Sequence, residues 1–221
     1  MSHFSEHGTS EHWQAVYRSP ALVSRRQRSH RRKLARLGVL EWPRSFKILD
    51  LCCGSGEALC ILHQEGFTEL WGADIKIDSD LRSLPWCRTV QCQAQRLPLE
   101  NSSFDGVLIM HSLHHLGVVT GIRATLSEAR RVLRPGGRLA LVDHHNAPQV
   151  WWAFWALRQP WLTWWSPALK SFCEQHREEW PYLSQYLRQY RNVRRLITEL
   201  GFKTIVDCCG AFFFYWTGEH Q

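Results

Sequence analysis

Apolar and polar positions along this chain fall into blocks that alternate between a helical and an extended period. Two helices are expected first, about Ser10–Arg18 and Ala21–Leu37, the second preceded by Pro20 and stopped by Gly38. Phe46–Leu51 is a short apolar run that closes in a cluster of small residues, Cys52-Cys53-Gly54-Ser55-Gly56. A helix is expected over Glu57–Glu65, a strand over Leu70–Ile75 and a third strand over Thr89–Gln93. Turn-rich Pro98–Ser103 leads into Phe104–Met110, a buried strand. Ile122, Leu126, Ala129 and Leu133 form one stripe of a helix over Thr120–Leu133. Arg134-Pro135-Gly136-Gly137 then predicts a tight turn before a fifth strand, Arg138–Val142.

Strands alternating with helices over residues 46–143 predict a mainly parallel sheet covered on both faces. Residues 148–200 break that rhythm with two aromatic-rich helical stretches, Gln149–Glu179, kinked at Pro160 and Pro167, and Tyr182–Leu200. A last strand pair, Phe202–Cys208 and Ala211–Thr217, follows through Gly210. The expected fold is a Rossmann-like, doubly wound α/β sheet of seven strands, with a helical insertion after the fifth. Residues 1–45 make a basic helical arm or lid, residues 46–221 the domain, and residues 148–200 its substrate-side insertion.

In such sheets, ligands bind outside the carboxyl ends of the strands. The first strand delivers Asp50 and then Gly54-Ser55-Gly56 at a helix start, where glycines admit close approach and N–H groups are unpaired. Asp74 ends the second strand, where a carboxylate can accept both hydroxyls of a ribose. The dinucleotide fingerprint is incomplete, since Leu59 stands where a third glycine belongs, and the G-K-[ST] of a phosphate loop is absent. An acid at the first turn suits a cationic nucleoside instead.

Five blocks occur in order: Ile48–Gly56, Trp71-Gly72-Ala73-Asp74-Ile75, Leu97–Asp105, Leu113-His114-His115-Leu116 and Leu133-Arg134-Pro135-Gly136-Gly137. In them the chain resembles the class I S-adenosylmethionine-dependent methyltransferases of the type-11 group, which includes quinone-biosynthesis enzymes. The resemblance spans about residues 45–143. It implies S-adenosyl-L-methionine as cofactor, with the backbone of Cys52, Cys53, Gly54 and Gly56 cradling the methionine moiety and Asp50 near its ammonium. It further implies that Asp74 holds the ribose, Ile75 packs on the adenine, and Gln93 with Ala94 meets the adenine amino group. Met110 and His111 border the sulfonium, and Trp13 and Tyr17 belong to a helix closing over the cofactor. Two positions depart from the family pattern: Cys52 replaces a glycine, and Gln93 replaces an acid whose accepting role its amide oxygen can still fill.

Methyl transfer to a proton-bearing atom needs a base, and histidine titrates near neutrality. His111, His114 and His115 follow the fourth strand, and Asp143-His144-His145 follow the fifth. His111, His144 and His145 are the catalytic candidates, whereas His114 and His115 are expected to serve packing. Adjacent histidines on a strand point to opposite faces, so no metal site is expected.

Composition adds partners. The 221 residues carry a net charge of +7, and nine basic against three acidic residues lie within 1–45, so nearly all the excess sits in the arm. Six of 12 tryptophans fall between Trp151 and Trp165. Together these suggest a small apolar or aromatic, even lipid-like acceptor, collected by peripheral contact with an anionic membrane surface. Eight cysteines without C-x-x-C spacing, behind an opening that lacks an apolar signal segment, suggest free thiols in the cytoplasm. An RNA or protein methyltransferase holding a polyanion on the arm is the alternative; nucleic acid is disfavoured because the arginines cluster in one segment without an RNA-binding module. A noncatalytic cofactor-binding protein is the third reading.

Overall fold

The computed structural model describes residues 20–117, 119–159 and 167–221. The expected helix over Ser10–Arg18, with Trp13 and Tyr17, lies outside the described residues, as does the Pro160 kink. The elements are α1 (Pro20–Arg36), β1 (Lys47–Leu51), α2 (Glu57–Gln64), β2 (Glu69–Asp74), α3 (Ser79–Arg82), β3 (Cys87–Gln91), β4 (Phe104–Met110) and α4 (Val119–Val132), followed by β5 (Leu133–His144), α5 (Pro148–Leu157), α6 (Pro167–Glu199), β6 (Phe202–Cys209) and β7 (Phe213–His220). They build one seven-stranded sheet in the order β3-β2-β1-β4-β5-β7-β6. Neighbours from β3 to β5 are parallel, and β7 pairs antiparallel with both β5 and β6. The strand order reverses between β1 and β4, which opens a crevice at their carboxyl ends.

The strand period of two explains why both faces are covered. On β1, β4 and β5, Leu49, Val107, Ile109, Leu139 and Leu141 enter one core layer with Ile122 and Leu126 of α4 and Leu183 and Leu187 of α6. Their neighbours Ile48, Leu108, Met110, Ala140 and Val142 enter the other, with Leu59 and Leu62 of α2, Leu34 of α1 and Leu37 just past its end. The outer strand β6 is exposed over much of its length and carries polar residues such as Lys203, as an open edge requires.

Three expectations about the chain path are corrected. A break between the expected helices at residues 179–182 does not occur: α6 is one helix with Pro181 inside it. Proline removes one backbone donor, but Leu183, Tyr186 and Leu187 are buried just beyond it, and that packing holds the turn helical. Pro167 opens α6 instead of kinking a helix, in the position where its missing N–H costs nothing. The expected turn at Arg134–Gly137 is a bulge inside β5, where the register against β4 shifts and Gly136 takes a left-handed φ of 77°.

Candidate active site

The sheet's carboxyl ends gather the candidate residues in two groups. At the tip of β1, Asp50 is 3% exposed and its carboxylate has no hydrogen bond or ion pair among the described residues. Burial, aided by Asp74, pushes this carboxyl up to about 8. The turn after it is held by backbone: the N–H groups of Cys52 and Cys53 donate to the Ala73 carbonyl at 2.7 and 3.2 Å. Cys52 sits at a left-handed φ of 64°, which is why glycine is the easier residue there and why the cysteine is strained. The space where a Cβ on Gly54 would lie is open for 4 Å around, whereas one on Gly56 would run into Leu81 at 2.5 Å.

Asp74 closes β2 with its carboxylate facing this turn, accepting from the Gly54 N–H at 2.8 Å and the Lys76 N–H at 3.1 Å. Ile75 is 65% exposed beside it, an apolar surface. The Cys92 N–H donates to the Asp74 carbonyl, which brings exposed Gln93 and buried Ala94 to the same rim. Asp50, Cys52, Cys53, Gly54, Gly56, Asp74, Ile75, Gln93 and Ala94 therefore line one end of the crevice. Met110 is buried at the tip of β4, and Ser112 Oγ donates to its carbonyl at 2.9 Å and to that of Cys52 at 3.4 Å, joining the two tips.

The second group lies past β4 and β5. Asp143 is fully buried and its carboxylate accepts from the His114 ring Nδ1 at 2.8 Å, the His114 N–H at 3.2 Å and the His144 N–H at 2.6 Å. Burial alone would raise the Asp143 carboxyl, but the His114 imidazole outweighs it and holds it well below the usual range. Burial likewise opposes the charge on His114, and Asp143 overcomes it and raises the imidazole. His114 is thus half of a buried ion pair that ties the loop after β4 to β5, in keeping with a packing role.

His144 and His145 diverge. The His145 Nε2 is 3.3 Å from the Ala211 carbonyl, away from the other histidines. His144 enters the site, its ring centroid 4.6 Å from Phe213, 5.3 Å from Phe154 and 6.4 Å from His111. Burial, outweighing the pull of Asp143, pushes His144 down to about 4, and its Nδ1 is buried without a partner among the described residues. His111 takes a left-handed φ of 55°, its N–H donating to the Val142 carbonyl at 2.8 Å. Burial and the nearby Lys33 keep its imidazole well below the ordinary value.

Lys33 is the residue that reasoning from the sequence missed. Counted as one charge of a basic arm, it reaches from α1 to place its Nζ 2.6 Å from His111 Nε2 and 4.4 Å from the centre of the Phe213 ring. The signal was present: Arg26, His30, Lys33 and Leu37 fall on one helical stripe, and Leu34 and Leu37 are fully buried. On the same stripe Arg26 and His30 meet Glu57 at 3.0 and 3.5 Å, so part of the arm's charge is spent on the body. Of the tryptophans, Trp151 packs edge-on to Trp180 at 5.3 Å, while Trp152 and Trp155 are exposed on α5; Trp161, Trp164 and Trp165 lie outside the described residues. Among the described residues no helix is long and apolar enough to cross a membrane.

Residues 49–141 match the model of a methyltransferase domain family. An uncharacterized methyltransferase of Synechocystis sp. is 38% identical over 112 residues, covering 49% of this chain and 51% of the relative. A demethylmenaquinone methyltransferase of Beutenbergia cavernae is 29% identical over 165 residues, covering 72% and 66%. The chain thus spans about half to two thirds of the length of these curated relatives. A crystal structure of a protein from Pyrococcus horikoshii OT3 shares the fold, with a TM-score of 0.64 at 18% identity over 97% of this chain and 100% of that one.

The residues present fit S-adenosylmethionine. The buried Asp50 carboxyl, raised and without a partner among the described residues, is one that an adjoining cation would ionise, the open space over Gly54 admits a ligand backbone, and Asp74 with Ile75 offers a hydroxyl acceptor beside an apolar face. The order of the strands, the reversal at β1 and β4 and these side chains agree with the family match: residues 49–141 form a methyltransferase domain of the S-adenosylmethionine-dependent kind.

Proposed function

We propose that this protein transfers a methyl group to a small aromatic or otherwise apolar acceptor bound between the tips of β4 and β5 and the helices α5 and α6. The observation that carries this is the half-buried His144 imidazole beside Phe154 and Phe213, its buried Nδ1 without a partner among the described residues, at the strand tips adjoining the crevice. S-adenosylmethionine supplies a methyl group on a positively charged sulfur. The chain's residues then hold an acceptor atom in line with that methyl, and such positioning can supply about 7–11 kcal/mol of barrier reduction. Aromatic rings at 4.6–5.8 Å from one another along Phe213, His144, Phe154 and Trp180 give a flat apolar acceptor a wall to lie on. His144 is neutral at physiological pH, so its buried Nδ1 can accept a hydrogen bond from a hydroxyl or amine of the acceptor and orient it. Trp152 and Trp155, exposed on the helix that carries Phe154, support a lipid-like acceptor, in line with the demethylmenaquinone enzyme's substrate class.

Incubation of the protein with methyl-labelled S-adenosylmethionine and a fractionated cell extract tests this. Label is expected in the organic-soluble fraction and to fall at least about tenfold with His144→Ala. Label confined to RNA or protein would contradict the acceptor class.

A further inference from the structure

Lys33 is unusual in what surrounds it. It leaves a helix whose other inward charges meet carboxylates, yet no carboxylate forms an ion pair with it among the described residues. Its Nζ instead touches an imidazole nitrogen at 2.6 Å and lies over an aromatic ring at 4.4 Å. The same ring, Phe213, is 4.8 Å from His111 and 4.6 Å from His144, so the ammonium, two imidazoles and an aromatic face share one space at the tips of β4, β5 and β7. An ammonium carries three donors, and one bond to His111 Nε2 leaves two for an incoming group. Half-buried and flanked by rings, that cation is only partly open to solvent, and a ligand oxygen bearing negative charge would supply the partner that the described residues do not.

We propose that Lys33, steadied by His111, is the binding site for an ionised oxygen of the methyl acceptor, so that the acceptor is an aromatic alcohol bound as its phenolate. The proposal rests on the acceptor position proposed above and names the group that is recognised there. The hydroxyl proton is left to solvent as the phenolate binds, and His144, whose ring lies 6.4 Å from that of His111, stays neutral beside it. Phe213, beneath Lys33, continues through His144 to Phe154, which gives the aromatic ring of the acceptor its resting surface. Lys33 and His111 belong to the side of the crevice formed by β4 and β7, and Asp74, the ribose-binding candidate, belongs to β2 on the far side of β1.

The test uses 4-nitrophenol, whose phenolate is coloured, and 4-nitroanisole, which has the same ring with no ionisable oxygen, each added to the full chain saturated with S-adenosylhomocysteine. The phenol is expected to bind with the absorption of its phenolate and at least about tenfold more tightly than the anisole. Lys33→Met should abolish that preference while leaving affinity for S-adenosylhomocysteine within about twofold, and Lys33→Arg should retain it. Equal affinity of the two probes for the wild-type chain overturns the proposal, a comparison that does not depend on any variant folding. Loss of S-adenosylhomocysteine affinity in Lys33→Met also overturns it, by assigning the lysine to the carboxylate of the cofactor. If the wild-type chain does not bind S-adenosylhomocysteine, the methyltransferase reading falls as well; if it does and the probes bind alike, only the phenolate site falls.

Discussion

The carboxyl of Asp50 is buried at the tip of β1 with Asp74 as its charged neighbour, and burial raises it to about 8. Its folded value lies above the ordinary 3.8, so between those limits the folded chain binds a proton that the unfolded chain does not. Stability without ligand therefore falls as pH rises from about 4 to about 8. A cation placed beside Asp50 reverses this preference, so cofactor binding near neutral pH should release a proton and strengthen as pH approaches 8. Calorimetry with S-adenosylhomocysteine in buffers of different ionisation heat reads that proton directly. Asp50→Asn should abolish the release, weaken binding and raise the melting temperature of the free chain at pH 8 by about 3–6 °C, from roughly 1–2 kcal/mol. Binding without buffer dependence in the wild-type chain would show that Asp50 does not face the cofactor's charge. The position of Asp50 could be read from the sequence, because a strand-ending acid before a glycine turn is a local pattern. The roles of His144 and His145 could not, since neighbours on a strand differ only in which face is buried, and that is set by β7 and α5 lying far along the chain.

Between elements, the His114–Asp143 pair binds the loop after β4 to the end of β5 with both partners buried. Removing one partner of such a pair leaves the other charged and unsolvated, so Asp143→Asn is expected to cost about 3–5 kcal/mol, read from the urea midpoint. The Asp143 share is present above the ordinary 3.8 and is lost as pH falls through its depressed folded value. The His114 share is present below 6.5 and is lost as pH rises through its raised folded value. The difference between wild type and Asp143→Asn should accordingly be largest between pH 3.8 and 6.5; a difference independent of pH would mean that the pair is not ionised. Elements whose limits are set locally were legible in the chain. Phe104–Met110 is bounded by turn residues and apolar throughout, and its ends are those expected. Helix α6 was not, because Pro181 is a local stop signal that distant packing of Leu183, Tyr186 and Leu187 overrides.

At the scale of the whole molecule, the sheet brings together groups that are remote in sequence: Lys33 from α1, His111 after β4, His144 on β5 and Phe213 on β7. The blocks that end β1 and β2 and follow β4 lie at the carboxyl ends of the strands, whereas Leu133–Gly137 opens β5 at the other end of the sheet beside Phe104; the former are legible because backbone turns and strand-end acids are encoded within a few residues. The proposed acceptor end draws on α1, α5 and β7, outside those blocks, and only the fold brings Lys33, Phe154 and Phe213 together at His111 and His144. Cys52, strained at a left-handed φ of 64°, marks where this chain departs from the family's glycine without closing the crevice.

The central claim is that Asp50, the glycine turn and Asp74 hold a sulfonium nucleoside, and titration calorimetry of the full chain with S-adenosylhomocysteine tests it most directly. Saturable binding is predicted, weakened at least about tenfold by Asp74→Ala through loss of hydrogen bonds to a charged group. No heat with this ligand while NADH binds well, or an unchanged dissociation constant in Asp74→Ala, would contradict it.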